Sequence, residues 1–239
     1  MSYCSLHILK AMTKERIDSV RKHFEGEANI FDSRVVRIVP HYCDMLETMV
    51  AAIPFPASEP LRAADLGCGT GTVACLVKER FPKVRLTCID FAPNMLAFAR
   101  RRLGPGVAFE LGDIHTYCFR STYDAIISSL VLHHVEAGPE KAALFSRIHS
   151  ALGKGGVFLN TDIFTSRDKA MARMQLDKWA DFILQSCSRR EVQQNYRRYK
   201  KEDRPADPEE EMAALRKAGF RHVEMLWKYY NFATYIAVT

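Results

Sequence analysis

Ala64-Asp65-Leu66-Gly67-Cys68-Gly69-Thr70-Gly71 is the stretch that decides the fold. An apolar run, Leu61–Leu66, leads into it as a strand, and Thr72–Arg80 leaves it as a helix. Glycines at alternate positions let the backbone turn sharply and approach a ligand closely. The spacing is G-x-G-x-G, which differs from the G-x-G-x-x-G dinucleotide fingerprint. No Gly-Lys-Ser/Thr follows, so a Walker loop is excluded. Cys88-Ile89-Asp90 ends the next strand about twenty residues on, where an acid can take both hydroxyls of a ribose. Leu111-Gly112-Asp113-Ile114 ends the third strand, and its acid is placed to accept from an adenine amino group. Either acid alone could as well cap a helix or a turn. In register with the glycine loop, both read as ligand contacts.

Outward from this loop the pattern alternates. Strands are expected at Val84–Ile89, Val107–Glu110, Tyr123–Ser128 and Gly156–Asn160, and helices at Pro93–Leu103 and Pro139–Leu152. The segment 111–122 reads as loop. Strand–helix alternation argues a parallel, doubly wound sheet. Val223–Tyr230 and Ala233–Val238 add a C-terminal antiparallel hairpin, which makes an α/β, mostly parallel, seven-stranded sheet. Residues 1–60 read as N-terminal helices, with Ile17, Val20 and Phe24 at helical spacing, ahead of a main domain at 61–239. Pro40 is expected to open a new helix at its first turn. Residues 164–206 interrupt the alternation as a charged helical insertion. Its Met171, Met174, Leu176, Trp179, Phe182 and Ile183 form either a packing stripe or the inner face of a cap.

The chain has 239 residues, 48% of them apolar, which suffices for a core and argues against disorder. No apolar run is long enough to span a membrane, and no basic-then-apolar leader opens the chain, so a cytoplasmic location is expected. Seven cysteines occur without a C-x-x-C pair, which leaves a zinc ribbon unsupported and suggests buried free thiols. No metal is assigned. A net charge of +6 suits an anionic partner, but no aromatic-interleaved basic motif points to nucleic acid. A small-molecule substrate is expected, with no membrane partner and with homodimerisation open.

The glycine loop and its two acids resemble those of the class I S-adenosylmethionine-dependent methyltransferases. So do Ile127-Ser128-Ser129-Leu130-Val131-Leu132-His133-His134-Val135 and Ala151-Leu152-Gly153-Lys154-Gly155-Gly156. The resemblance implies a Rossmann-like methyltransferase fold and S-adenosylmethionine as cofactor. It assigns Asp65, Gly67, Cys68, Gly69 and Gly71 to the methionine end and Asp90 to the ribose. Phe91 and Met95 would flank the adenine, Asp113 and Ile114 would bind it, and Ser129 and Leu130 would lie beside the sulfonium. Val39-Pro40-His41-Tyr42, Ile89-Asp90-Phe91-Ala92-Pro93-Asn94-Met95 and Lys217-Ala218-Gly219-Phe220 are similar to the carboxy-S-adenosylmethionine synthase group. That likeness makes Tyr42 a cofactor contact. It leaves the group's carboxylate-binding arginine unmatched: counting back from Lys217 without gaps places Tyr196 there, beside Arg197 and Arg198.

The expected activity is methyl transfer by direct displacement on a small molecule. The alternatives are carboxylation of the donor, attack by the cofactor's own aminobutyryl chain, or a non-catalytic cofactor-binding subunit. A base is needed only for a nucleophile that holds its proton tightly. Candidates are His133, His134 and His41, with Tyr42, Tyr196, Tyr199, Tyr229 and Tyr230 as positioning groups. The histidine pair could equally be structural, and the basic stretch from Arg189 to Arg204 could be a solvated helix face. The functional reading of that stretch is recognition of a carboxylate or phosphate on the acceptor, with Arg197 and Arg198 as the candidates. Tyr229, Tyr230, Asn231 and Phe232 at the hairpin are expected on the same rim. The sharpest expectation is that Tyr42, Tyr230 and at least one of Tyr196, Arg197 and Arg198 border the donor methyl.

Overall fold

Apolar side chains alternate between the two faces of every central strand. Ala63, Cys88, Ala125, Ile127 and Leu159 point to one side, and Ala64, Ile89, Ile126 and Phe158 to the other. A strand apolar on both faces must be covered on both, so helices pack above and below the sheet. The computed structural model describes residues 15–26 and 30–239. Its sheet has seven strands in the order β3-β2-β1-β4-β5-β7-β6. These are β1 (Leu61–Leu66), β2 (Val84–Asp90), β3 (Val107–Leu111), β4 (Tyr123–Ser129), β5 (Leu152–Ile163), β6 (His222–Tyr229) and β7 (Phe232–Val238). β1 to β5 run parallel, and β7 enters antiparallel beside β5. The order reverses between β1 and β4, which opens a crevice at the carboxyl ends of those strands.

Helix α1 covers residues 15–26. It is followed by α2 (Phe31–Ile38), α3 (Tyr42–Ala51), α4 (Thr72–Arg80), α5 (Pro93–Leu103) and α6 (Pro139–Ala151), then α7 (Lys169–Leu184), α8 (Arg189–Glu202) and α9 (Pro208–Lys217). α3, α4 and α5 bury Met45, Met49, Val77 and Ala99 against one face, and α6 and α9 bury Phe145, Ile148 and Leu215 against the other. Pro40 lies ahead of α3 rather than inside it: His41 caps that helix in a left-handed conformation. β5 is longer than expected because its ladder with β7 continues to Ile163↔Phe232. The insertion forms two helices. Ser188 and Glu191 start α8 with reciprocal capping bonds, a stop-and-start signal that separates it from α7. Residues 1–14 and 27–29, part of the expected N-terminal helices, lie outside the described residues. No helix among the described residues is long and apolar enough to cross a membrane.

Candidate functional site

The register of the parallel strands sets the site. Asp65 pairs with Cys88 and Ile127, and Asp90 pairs with Leu111, so the ends of β1 to β4 emerge at one edge. A cavity of about 900 Å³ opens there, walled by the loop after β1, Asp90, Phe91, Met95, Asp113, Ser129 and Leu130, and by Tyr42. It gathers every expected cofactor contact except Gly71. That glycine instead lets α4 and α5 meet: a β-carbon there would lie 3.1 Å from Leu103 and 3.2 Å from Ala99. Gly67 and Gly69 hold positive φ angles of 74° and 52°. Past Gly69 the space is open, and at Gly67 a β-carbon would strike Val131.

The three acids are in different electrical states. Asp90 accepts from Gly69 N and Ala92 N, each at 2.9 Å, yet burial outweighs these bonds and lifts it to about 6. Asp65 is pushed to about 7 by burial and by the nearby Asp90, offset in part by the Ala74 N–H. Its Oδ2 is enclosed and has no hydrogen-bond partner. A buried carboxylate without a counter-charge is costly, and an ammonium placed there would relieve it. Asp113 goes the other way: burial raises it, but the His115 ring at 2.7 Å, the His115 N–H and Arg21 hold it below its ordinary value.

The roof of this cavity was only partly expected. Arg16, Val20 and Phe24 of α1 and Phe31 of α2 line it, together with Thr70, Thr72 and His115. Asp32 of α2 receives the Thr70 hydroxyl at 2.6 Å and pairs with Arg102 of α5, whose guanidinium also reaches Thr72 at 2.8 Å. Helix spacing signalled Val20 and Phe24. Nothing local signalled Asp32. Tyr42 is buried, and burial together with Asp32 pushes its phenol well up, so it stays protonated and can donate a hydrogen bond.

A second cavity, of about 750 Å³, shares Phe24, Phe31, Leu130 and His134 with the first. Leu130, at the junction, has φ 56°, a left-handed conformation that a non-glycine residue adopts at a cost. The insertion walls this cavity: Trp179 donates to Ile38 O at 2.6 Å, and Asn195, Arg198 and Tyr199 face inward. Asn195 Oδ1 accepts from Arg34 at 2.9 Å and from Arg198 at 2.8 Å. His133 and His134 sit on a single 3-10 turn after β4. Asp162 of β5 holds His133 by its ring Nδ1 at 2.5 Å and by its backbone N–H at 3.0 Å. Burial lowers His133, but Asp162 and Asp203 outweigh it and leave the ring above its ordinary value. Burial and the neighbouring His133 keep His134 well below its ordinary value.

The residues expected at the acceptor rim divide: Tyr42 and Arg198 meet their part of the expectation, and Tyr230 does not line either cavity. Tyr42 and Arg198 face the cavities, but Tyr196 and Arg197 do not. On α8 the inward face carries Asn195, Arg198, Tyr199 and Glu202, so the period of the helix turns Tyr196 and Arg197 outward. Tyr230 occupies the hairpin turn with φ 48° and is 37% exposed. Tyr229 packs at 4.6 Å on His41, away from both cavities. Asn231 is buried outside them, its carbonyl accepting from Phe164 N. Of the hairpin residues, only Phe232 reaches the second cavity.

Residues 63–156 match the family described as a methyltransferase domain. The chain is 28% identical to the carboxy-S-adenosyl-L-methionine synthase of Campylobacter concisus, over 92% of its own length and 96% of the relative's. The synthase of the same name from Nitratiruptor sp. is 27% identical, with 95% and 98% covered. Among solved structures, a DhpI-SAM-HEP complex superposes with a TM-score of 0.67 at 18% identity, covering 92% of this chain and 96% of that one. Human N-acetylserotonin methyltransferase in complex with SAM gives 0.61 at 20% identity, covering 90% and 56%. At such identities the structural likeness speaks for the fold. Joined to the matched segment and to relatives aligned nearly end to end, it supports a class I S-adenosylmethionine-dependent methyltransferase-like protein.

Proposed function

We propose that the chain transfers a methyl group from S-adenosylmethionine to a small acceptor that carries an anionic group. The observation that carries this reading is the second cavity, which meets the first at Leu130 and holds Arg34 and Arg198 bridged on Asn195. The first cavity suits the cofactor in three respects. The partnerless Oδ2 of Asp65 matches an ammonium, Asp90 matches ribose hydroxyls, and Phe91 and Met95 supply apolar surface for a flat base. When bound, S-adenosylmethionine supplies a methyl group already activated by its positive sulfur. Leu130 borders both cavities, so an acceptor in the second would face the first. Paired guanidiniums orient a carboxylate, and orientation is the main contribution to a displacement that needs little other help. Trp179, Phe31 and Phe232 keep that path apolar and exclude water.

A second reading is formation of a carboxylated donor. The same guanidiniums and the printed names of the relatives favour it. One experiment separates the two. The protein is incubated with S-adenosylmethionine and a panel of small carboxylic acids, and the products are resolved by mass spectrometry. S-adenosylhomocysteine with a methylated acid supports methyl transfer. A donor gaining a carboxylate supports the second reading and overturns the first.

A further inference from the structure

His133, His134 and Asp203 bring three ligand atoms together at the end of the second cavity, all within 4.8 Å of one another. We infer that they form a binding site for a divalent transition-metal ion. Asp203 Oδ1 stands 3.7 Å from His133 Nε2 and 3.6 Å from His134 Nδ1. Donors bound at roughly 2.0–2.2 Å to one ion stand roughly 3–3.6 Å apart, so closure onto an ion takes small side-chain rotations.

Three further features point to an ion and not to a packed polar cluster. Both ring nitrogens of His134 are shielded from solvent and make no hydrogen bond of normal length and angle, the Glu202 backbone being a weak partner at most. An imidazole so poorly partnered is costly to bury, and a metal bond at Nδ1 would satisfy that nitrogen. His133 is fixed in the way metal-bound histidines are: its Nδ1 is tied to the Asp162 carboxylate, which directs Nε2 toward Asp203. Carboxylates also gather here, since Asp162 backs the site while Glu202 and Asp203 line it. They offset Arg16, which bonds the carbonyls of His134 and Glu202, and Arg198 on the cavity wall.

Two imidazoles and one carboxylate select iron, cobalt, nickel or zinc over magnesium or calcium. Three protein donors leave open positions, and the site lines the cavity assigned to the acceptor. An acceptor oxygen, carboxylate or phenolate, would complete the shell there. That last step rests on the methyl-transfer reading, whereas ion binding does not.

The test uses the full chain, freed of metal by a chelator and titrated with Co(II). We expect one equivalent to bind, with visible d–d absorption, and Mg(II) not to compete. His134→Ala and Asp203→Asn should each weaken binding at least tenfold. Asp162→Asn should weaken it about ten- to hundredfold through His133. Urea unfolding, measured in parallel, reports that each variant is folded. Failure to bind Co(II) in the folded wild type overturns the site, as does binding unchanged in the His134 and Asp203 variants. Neither outcome touches the methyl-transfer reading, which is judged by its products.

Discussion

The two cavities are built differently. The first is shaped by consecutive strand ends, and its polar groups are loop glycines and acids fixed by strand register. The second is assembled from α1, α2, the turn after β4, β5, α7, α8 and β7, and its polar groups are arginines, histidines, an asparagine and the acids Glu202 and Asp203, from distant parts of the chain. A cavity made mainly of backbone fits one molecule and tolerates little change. A cavity made of side chains on an insertion can be rebuilt without disturbing the sheet. The first is thus the part of the molecule tied to the sheet, and the second the part tied to the helical insertion.

Breaking the backbone side should have the largest effect. A β-carbon at Gly67 would lie 2.4 Å from a Val131 methyl, at a φ of +74°. Gly67→Ala is expected to cost about 2–4 kcal/mol of stability, from overpacking and the left-handed backbone together. Urea unfolding measures it. Val131→Ala in the same chain should return part of the loss, and no return would assign the cost to the backbone alone.

Paired variants separate the cavities. Asp90→Ala should weaken S-adenosylmethionine by about 1–3 kcal/mol in a calorimetric titration, because ribose hydroxyls lose their acceptor. Arg198→Ala should leave that affinity level while raising the acceptor KM on the order of tenfold or more. An equal loss of cofactor in both variants would merge the cavities into one site.

The Asp65 carboxyl sharpens the comparison through pH. Burial and the nearby Asp90 hold it at about 7, against an ordinary 3.8, so between those values the folded chain binds a proton that the unfolded chain has lost. This group therefore adds stability as pH falls through that window and costs stability above it. A cofactor ammonium demands the opposite state, so affinity should fall as pH drops below about 7, by up to about tenfold per unit. Asp65→Asn should flatten the profile. A slope unchanged in that variant would mean that another group titrates.

The smallest effect is expected outside both cavities. Tyr230 is 37% exposed at the hairpin turn, and Tyr230→Phe should change turnover and cofactor affinity by less than about 0.5 kcal/mol. A marked loss of turnover would bring the hairpin back to the acceptor.

The sheet was legible because hydrophobic alternation and the turn glycines repeat at fixed distances. The first cavity was legible for the same reason, since a motif at a strand end stays at a strand end. Gly71 misled because a glycine that admits a neighbouring helix and one that admits a ligand look alike in sequence. The second cavity was mostly hidden. Arg34 meets Asn195 across 161 residues, and His133 meets Asp162 across 29. No local pattern encodes such pairs. One signal was available: on α8 the helical period groups Asn195, Arg198, Tyr199 and Glu202, where an ungapped count had singled out Tyr196.

The pairing of Asp32 with Arg102 has a kinetic consequence. α1 and α2 roof the first cavity, and α2 is fastened to the loop and to α5 by Asp32, whose side chain is 39% exposed, as that of Arg102 is 36% exposed. If cofactor leaves through this roof, its residence time includes the breaking of a solvent-accessible ion pair. Such a pair weakens with ionic strength. Cofactor exchange should therefore quicken as salt is added, and Asp32→Asn should remove most of that dependence in a stopped-flow release experiment. A salt-independent release rate would place the exit elsewhere.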